Sequence, residues 1–218
     1  RPVQLPVPSE GQVHGDLLSR GVADPLARRA ARLAMGDAEE GYRLATDEQA
    51  MARREMTTSL ILNVRSISSA FSAAEKLTDL AEQDAQAVSA AKDERERAEL
   101  MALLGIREGE RVAPTLRAQV RRLEDQQKRR AKRVASDTLL HSVAQVQTVL
   151  RDALTLSLSA QLPLINEHLR EPLTAWCERR SPEQLLQDVQ AVEITLRRLR
   201  TNANARLALE ALMSRFVA

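Results

Sequence analysis

The chain has 218 residues, room for one or two domains with sizeable cores, and 2% aromatic content, few glycines and abundant Ala, Leu, Arg, Glu and Gln favour an all-α fold over a β fold. Net charge is only +2, so a pI near 9.0 carries little information and any nucleic-acid argument rests on local clustering. A single cysteine, Cys177, excludes an internal disulfide and a Cys-rich metal site and fits a reducing cytoplasm, while the lack of a long apolar run and of a signal peptide argues against a membrane-bound or exported protein.

The chain opens on Arg1 within Val3-Gln4-Leu5-Pro6-Val7-Pro8, which alternates like a terminal strand and reads as the start of a fragment cut from a longer protein. Ser9 starts a helix with Val13, Leu17 and Leu18 on its inner face, weakened by Gly11 and Gly15. A second helix has Asp24 as cap and Pro25 in its first turn, buries Leu26, Ala30 and Leu33, and ends at Gly36. Asp37 caps a third, Ala38 to Ala45, with Tyr42 and Leu44 as its larger apolar residues.

Thr46 or Asp47 caps the next helix, which carries Met51, Met56, Leu60 and Leu62, and a break is expected near Ser66 to Ser69. Ala70 to Leu104 reads as one long helix with Phe71, Leu77 and Leu80 buried. From Glu82 to Glu99 it is mostly Ala and charged or amide residues, with Val88 as the one large apolar residue, so a solvated helix or one limb of an arm is expected. Gly105 and Gly109 bracket a turn. After Pro114 a second limb begins, and Leu116, Val120 and Leu123 are expected to pair with Leu100, Leu103 and Leu104 in an antiparallel hairpin.

The second limb is basic. Arg117, Arg121, Arg122, Lys128, Arg129, Arg130, Lys132 and Arg133 stand against Glu124 and Asp125. Arg129, Arg130, Lys132 and Arg133 are candidates for contact with a DNA backbone by counterion displacement, without aromatic residues to read single strands. The other reading is a solvated face balanced by Asp84, Asp93, Glu94, Glu96 and Glu99 on the opposing limb. From Ser136 the pattern changes to a broad apolar stripe, Leu139, Val143, Val146, Leu150 and Leu154, widened by Leu140, Val149 and Leu156. Pro163 and Asn166 interrupt the chain. Glu167 to Arg179 forms a further helix through Leu169, Leu173 and Trp176, where Trp176 and Cys177 pack rather than react.

Ser181-Pro182-Glu183-Gln184 is a capping-box start, and Leu185, Val189, Val192, Leu196 and Leu199 follow at steps of four and three. Thr201 and Asn202 break that helix. Asn204 caps a last one whose inner face is Leu209, Leu212, Met213 and Phe216. No catalytic constellation is present in the sequence. His14, His141 and His168 lie on different predicted helices without a carboxylate or thiol at ligand spacing, and neither a serine elbow, a Cys-His pair nor a Gly-x-x-x-x-Gly-Lys-Ser/Thr phosphate loop occurs. No metal, cofactor or small-molecule substrate is expected.

Three stretches carry a resemblance. Asn202-Ala-Asn204-Ala-Arg206-Leu-Ala-Leu-Glu210 and Leu150-Arg151-Asp152-Ala-Leu154 resemble the collar domain of bacterial DNA polymerase III clamp-loader subunits, most closely the delta-prime branch of that family. Ala-Ala-Arg32-Leu-Ala-Met-Gly36 with Gly41-Tyr-Arg43-Leu-Ala looks like the lid of an AAA+ module. The resemblance implies a base-strand end and lid over residues 1–47, and a helical collar over 48–218 with an inserted helical hairpin at about 82–133.

In the ATP-hydrolysing subunits the third lid helix opens on Gly-Ser-x-Arg, whose arginine, sensor 2, reaches the nucleotide. Here Gly36-Asp37-Ala38-Glu39 stands in its place, and the Glu39 carboxylate repels a triphosphate, unless it and Glu40 merely favour a helix start. The arginine finger of the delta-prime branch belongs to a Ser-Arg-Cys motif upstream of Arg1 and outside this chain. The implied function is non-catalytic: collar-mediated assembly of the pentamer that loads a sliding clamp on primed DNA, with gamma/tau and delta as direct partners and the clamp and primer-template DNA as indirect ones. Asn204, Arg206, Leu207, Ala211 and Arg215 are the candidate interface residues. The alternatives are a fragment of the gamma/tau ATPase, whose collar is similar, and a DNA-binding scaffold built on the basic arm.

Overall fold

Short polar side chains fix where most of the helices begin. In the computed structural model, which describes residues 6–107, 110–201 and 203–217, Ser9, Ser66 and Ser181 each form a capping box, while Asp37, Asp47 and Asn204 accept from first-turn N–H groups. The helices are α1 (Glu10–Ser19), α2 (Asp24–Ala34), α3 (Ala38–Thr46), α4 (Glu48–Leu62), α5 (Ile67–Leu103), α6 (Arg117–Ser157), α7 (Arg170–Cys177), α8 (Pro182–Arg200) and α9 (Ala205–Ser214). A 3-10 turn, Glu167–Leu169, precedes α7. The fold is all-α, as the composition predicts, and no helix among the described residues is long and apolar enough to cross a membrane.

Val3 to Leu5 of the expected strand, Gly109 of the expected turn and Asn202 lie outside the described residues. Pro6 to Ser9 carry no regular structure. Pro6 and Pro8 have no N–H to give a ladder, and no strand among the described residues stands ready to pair with them. Asp24 is the first residue of α2 rather than its cap. Its carboxylate accepts from His14 at 2.9 Å and from Arg28 at 3.2 Å.

Buried apolar side chains fall in two clusters. One joins α1, α2 and α3 with the start of α4 through Val13, Leu17, Ala30, Leu33 and Leu44. Gly41 makes this possible: a Cβ there would sit 3.1 Å from Val13 Cγ1 and 3.3 Å from Ala34 Cβ, so α3 packs at a distance only glycine tolerates well. The second cluster is centred on the C-terminal half of α6, with the end of α4, the start of α5, α7, α8 and α9 packed around Val143, Val146, Val149, Leu150 and Ala153. The stripes expected on α6, α8 and α9 all point inward, and Phe216 meets Trp176 edge-on at 6.1 Å between ring centres.

Several large residues expected inside are outside. Leu18, Leu26 and Phe71 are exposed, and on α2 and α5 the buried stripes are made mainly of smaller neighbours: Ala27, Ala30, Ala31 and Ala34 on α2, and Ala70, Ala73 and Ala74 on α5. The same rule builds the arm. Ala81, Ala85 and Ser89 recur every four residues on α5 and are buried, whereas Val88 is 72% exposed.

The basic limb and the apolar stretch expected from Ser136 onward are one helix. α6 runs 41 residues from the arm into the second cluster without a glycine or proline to stop it, although its exposed surface changes character midway. At the other side of the arm, Gly105, at φ 68, ends α5: its N–H meets Ala102 O, and the Ile106 N–H meets Met101 O. The expected leucine pairing is only partly formed. Val120 is buried, but Leu103 is exposed, and polar groups hold the limbs together: Gln127 Nε2 donates to Asp93 O at 2.9 Å, and Arg130 donates to Asp93 and to both oxygens of Glu96.

Candidate functional site

The first candidate surface is the tail. Asn204 is spent on its own helix, accepting the Leu207 N–H at 3.1 Å, and Arg206 pairs with Glu210 at 2.9 Å and with Glu75 of α5 at 3.4 Å. Leu207 and Ala211, one helical turn apart, are both exposed, with Leu207 at 63%. The inner residues Leu209, Leu212, Met213 and Phe216 are buried, so α9 has one face in the core and an apolar spot on the other side.

Arg215 is drawn back toward α8, where it reaches Asp188 at 3.4 Å. Asp188 is buried and also holds Arg180 at 3.2 Å. Arg180 stacks 4.3 Å over the Trp176 ring and donates to the carbonyls of Arg215 and Phe216. Burial raises the Asp188 carboxyl and lowers the Arg180 guanidinium, each against the pull of its partner. This cluster locks the end of α9 to α7 and α8.

The second region is the junction between the α1–α3 layer and the central helix α6. Glu39, at the position where the resemblance places a nucleotide sensor, accepts from Arg20, just past the end of α1, at 2.8 Å. Its neighbour Glu40 turns the other way and joins the layers, accepting from His141 of α6 at 2.9 Å and from both ends of the Arg43 guanidinium at 2.8 and 2.9 Å. Burial works against the Glu40 charge, but these donors outweigh it and hold the carboxyl at about 2. His14 and His141 therefore do have carboxylate partners, Asp24 and Glu40, which come from other helices and are invisible to sequence spacing.

Behind Glu40 lies a polar network in which Arg151, Asp152 and Asn166, each noted in the sequence for other reasons, meet Arg54 and Thr148, which are not. Arg54 of α4, only 4% exposed, donates to Thr148 at 3.3 Å and to Asn166 at 3.4 Å, and burial lowers its guanidinium to about 10. Asp152, fully buried on α6, accepts from the backbone N–H groups of Ile165 at 2.9 Å and Asn166 at 2.6 Å, from the Asn166 side chain at 2.9 Å, and from Arg151 at 2.9 Å. Arg151 also donates to Pro163 O at 2.7 Å. The Arg-Asp pair thus clamps the bend at Pro163 to Asn166 against the central helix. An apolar cleft of about 680 Å³, walled by Leu33, Met35, Ala144, Leu154, Leu158 and Leu162, opens beside it. Cys177 is half-buried, its thiol donates to Ala153 O at 3.4 Å, and burial raises its pKa, which fits packing rather than nucleophilic work.

The third surface is the arm. Of the four residues singled out there for a DNA backbone, Arg130 is committed to Asp93 and Glu96 across the hairpin, whereas Arg129, Lys132 and Arg133 are exposed. The acidic limb thus neutralises one member of the cluster.

Residues 131–217, which run from the middle of α6 through α9, match the family model described as DNA polymerase III, delta subunit, C terminal. This C-terminal stretch is therefore similar to the C-terminal part of the delta subunit of DNA polymerase III. No curated protein and no solved structure matches the chain.

Proposed function

We propose that this chain is a non-catalytic subunit of a bacterial clamp loader, held among sister subunits by its C-terminal helices. The observation that carries the reading is the coincidence of the family match with helices that share a continuous buried apolar core and still present Leu207 and Ala211 outward on α9. Burial of that spot in a larger contact, of order 1,000 Å² or more, is what stable assembly requires. The partners are the gamma/tau and delta or delta-prime subunits, and the clamp and primed DNA are handled by the assembled machine.

Within the family the delta-prime branch is the finer assignment. Glu39 supports it, because a carboxylate tied to Arg20 replaces the arginine that ATP-hydrolysing members carry. In this role the chain contributes rigidity and contacts, and hydrolysis belongs to its neighbours. The test is gel filtration of the chain mixed with gamma/tau at micromolar concentration. Co-elution is expected for the wild type and loss of co-elution for Leu207→Asp combined with Ala211→Asp, with unchanged helix content. Separate elution of the wild type, or an undiminished complex with the double variant, overturns the interface.

A further inference from the structure

We propose that the arm formed by the end of α5 and the start of α6 is a docking surface for the phosphate backbone of double-helical DNA, read by charge alone and independently of the collar. Six cations carry it: Arg121, Arg122, Lys128, Arg129, Lys132 and Arg133. At about 100° per residue, all six fall within an arc of about 140° on α6, over a length of about 18 Å. All six are exposed, and none has a carboxylate partner among the described residues. Asp125 lies within the same arc and is the one acidic residue there.

The side of α6 that faces α5 is occupied by other residues: buried Val120, Gln127 bonded to Asp93, and Arg130 bonded to Asp93 and Glu96. The acidic groups of α5 therefore satisfy Arg130 and leave the six outward cations uncompensated. A duplex presents about one negative charge per 1.7 Å of axis, so 18 Å of it offers about 11 phosphates to six cations.

The remaining chemistry of the face selects among polyanions. Apart from the charged residues it holds only Ala118 and Ser136, so it lacks the apolar centre on which a protein partner docks. It has no Phe, Tyr or Trp on which single-stranded bases stack. It also lacks the apolar face that an interfacial helix sinks into a membrane, the other side of α6 being covered by α5.

The test is fluorescence anisotropy of the whole chain with a labelled duplex of mixed sequence and, separately, with its single strand, between about 50 and 200 mM salt. With four to six phosphates engaged, log affinity falls against log salt with a slope of about −4 to −5. Replacing Arg122, Arg129, Lys132 and Arg133 by Gln makes the slope shallower by about 3 to 4 and weakens binding at low salt at least about tenfold. Arg122→Lys with Arg129→Lys and Arg133→Lys retains the wild-type slope, since a backbone contact needs charge rather than a planar fork. Removing the same charge elsewhere on exposed helix positions, Lys76, Arg197, Arg198 and Arg200 to Gln, leaves binding unchanged. Absence of duplex binding by the wild type at the lowest salt, tighter binding to the single strand or to anionic vesicles, or an equal loss in the off-arm control each overturns the proposal.

Discussion

Replacing Asp152 by alanine tests the reading that the Arg-Asp pair of α6 holds the bend at Pro163 to Asn166. The carboxylate is fully buried and accepts two backbone N–H groups, an amide N–H and a guanidinium. Hydrogen bonds to a charged group contribute about 1.5 to 3 kcal/mol each, offset by the desolvation of the carboxylate itself. Truncation also strands the Ile165 and Asn166 N–H groups, at about 1 to 3 kcal/mol for a buried donor. The net loss is about 3 to 4 kcal/mol. For a chain of this size it appears as a fall of about 10 °C in Tm and a lower urea midpoint at unchanged m-value.

Asp152→Asn keeps the volume and one acceptor oxygen but turns an NH₂ toward donors, and is expected to lose about 2 kcal/mol. Hydrogen exchange at Ile165 and Asn166 should accelerate in both variants. A loss below about 1 kcal/mol for Asp152→Ala, or unaltered exchange at those amides, refutes the assignment of the bend to this carboxylate.

The Glu40 carboxyl sits at about 2 in the fold against an ordinary 4.5. A depressed carboxyl stabilises above its unfolded value and loses that contribution as pH falls through the folded one. The bonds to His141 and Arg43 therefore supply about 3 kcal/mol near neutral pH that disappears between about pH 4.5 and 2. Glu40→Gln should flatten the dependence of urea midpoint on pH across that window, and a variant that tracks the wild type there contradicts the assignment. Arg180→Met should cost about 3 to 5 kcal/mol by leaving Asp188 buried with Arg215 alone, and Arg180→Lys should not restore it, because an ammonium cannot both stack on Trp176 and fork to Asp188 and the Phe216 carbonyl. Urea melts of both variants check this, and full stability of the lysine form would show that charge alone suffices.

What the residues announced was local. Ser9, Ser181 and Asn204 begin helices where a hydroxyl or amide precedes an apolar stripe, and the stripes Leu185 to Leu199 and Leu209 to Phe216 face inward because their spacing allows no other burial. The seam of Ala81, Ala85 and Ser89 was hidden, since small residues carry no hydropathy signal that separates a tight contact from an exposed helix face. The polarity change at Ser136 looked like a boundary although nothing in the backbone breaks there. The Arg54–Thr148–Asn166 contacts join residues 94 and 112 positions apart, and the partnership of Glu40 with His141 spans 101. Only the packing of α4 on α6, and of α3 on α4, brings them together. Of the candidate DNA contacts, Arg130 was indistinguishable from its neighbours until the angle of α5 was known.

The unbroken course of α6 has a mechanical consequence. At about 1.5 Å per residue its 41 residues make a rod of about 60 Å, with its near half rooted among α4, α7 and α8 and its far half projecting as the arm. With neither a proline kink nor a glycine hinge along its length, a push at the outer tip arrives at the roots as torque rather than being absorbed by bending.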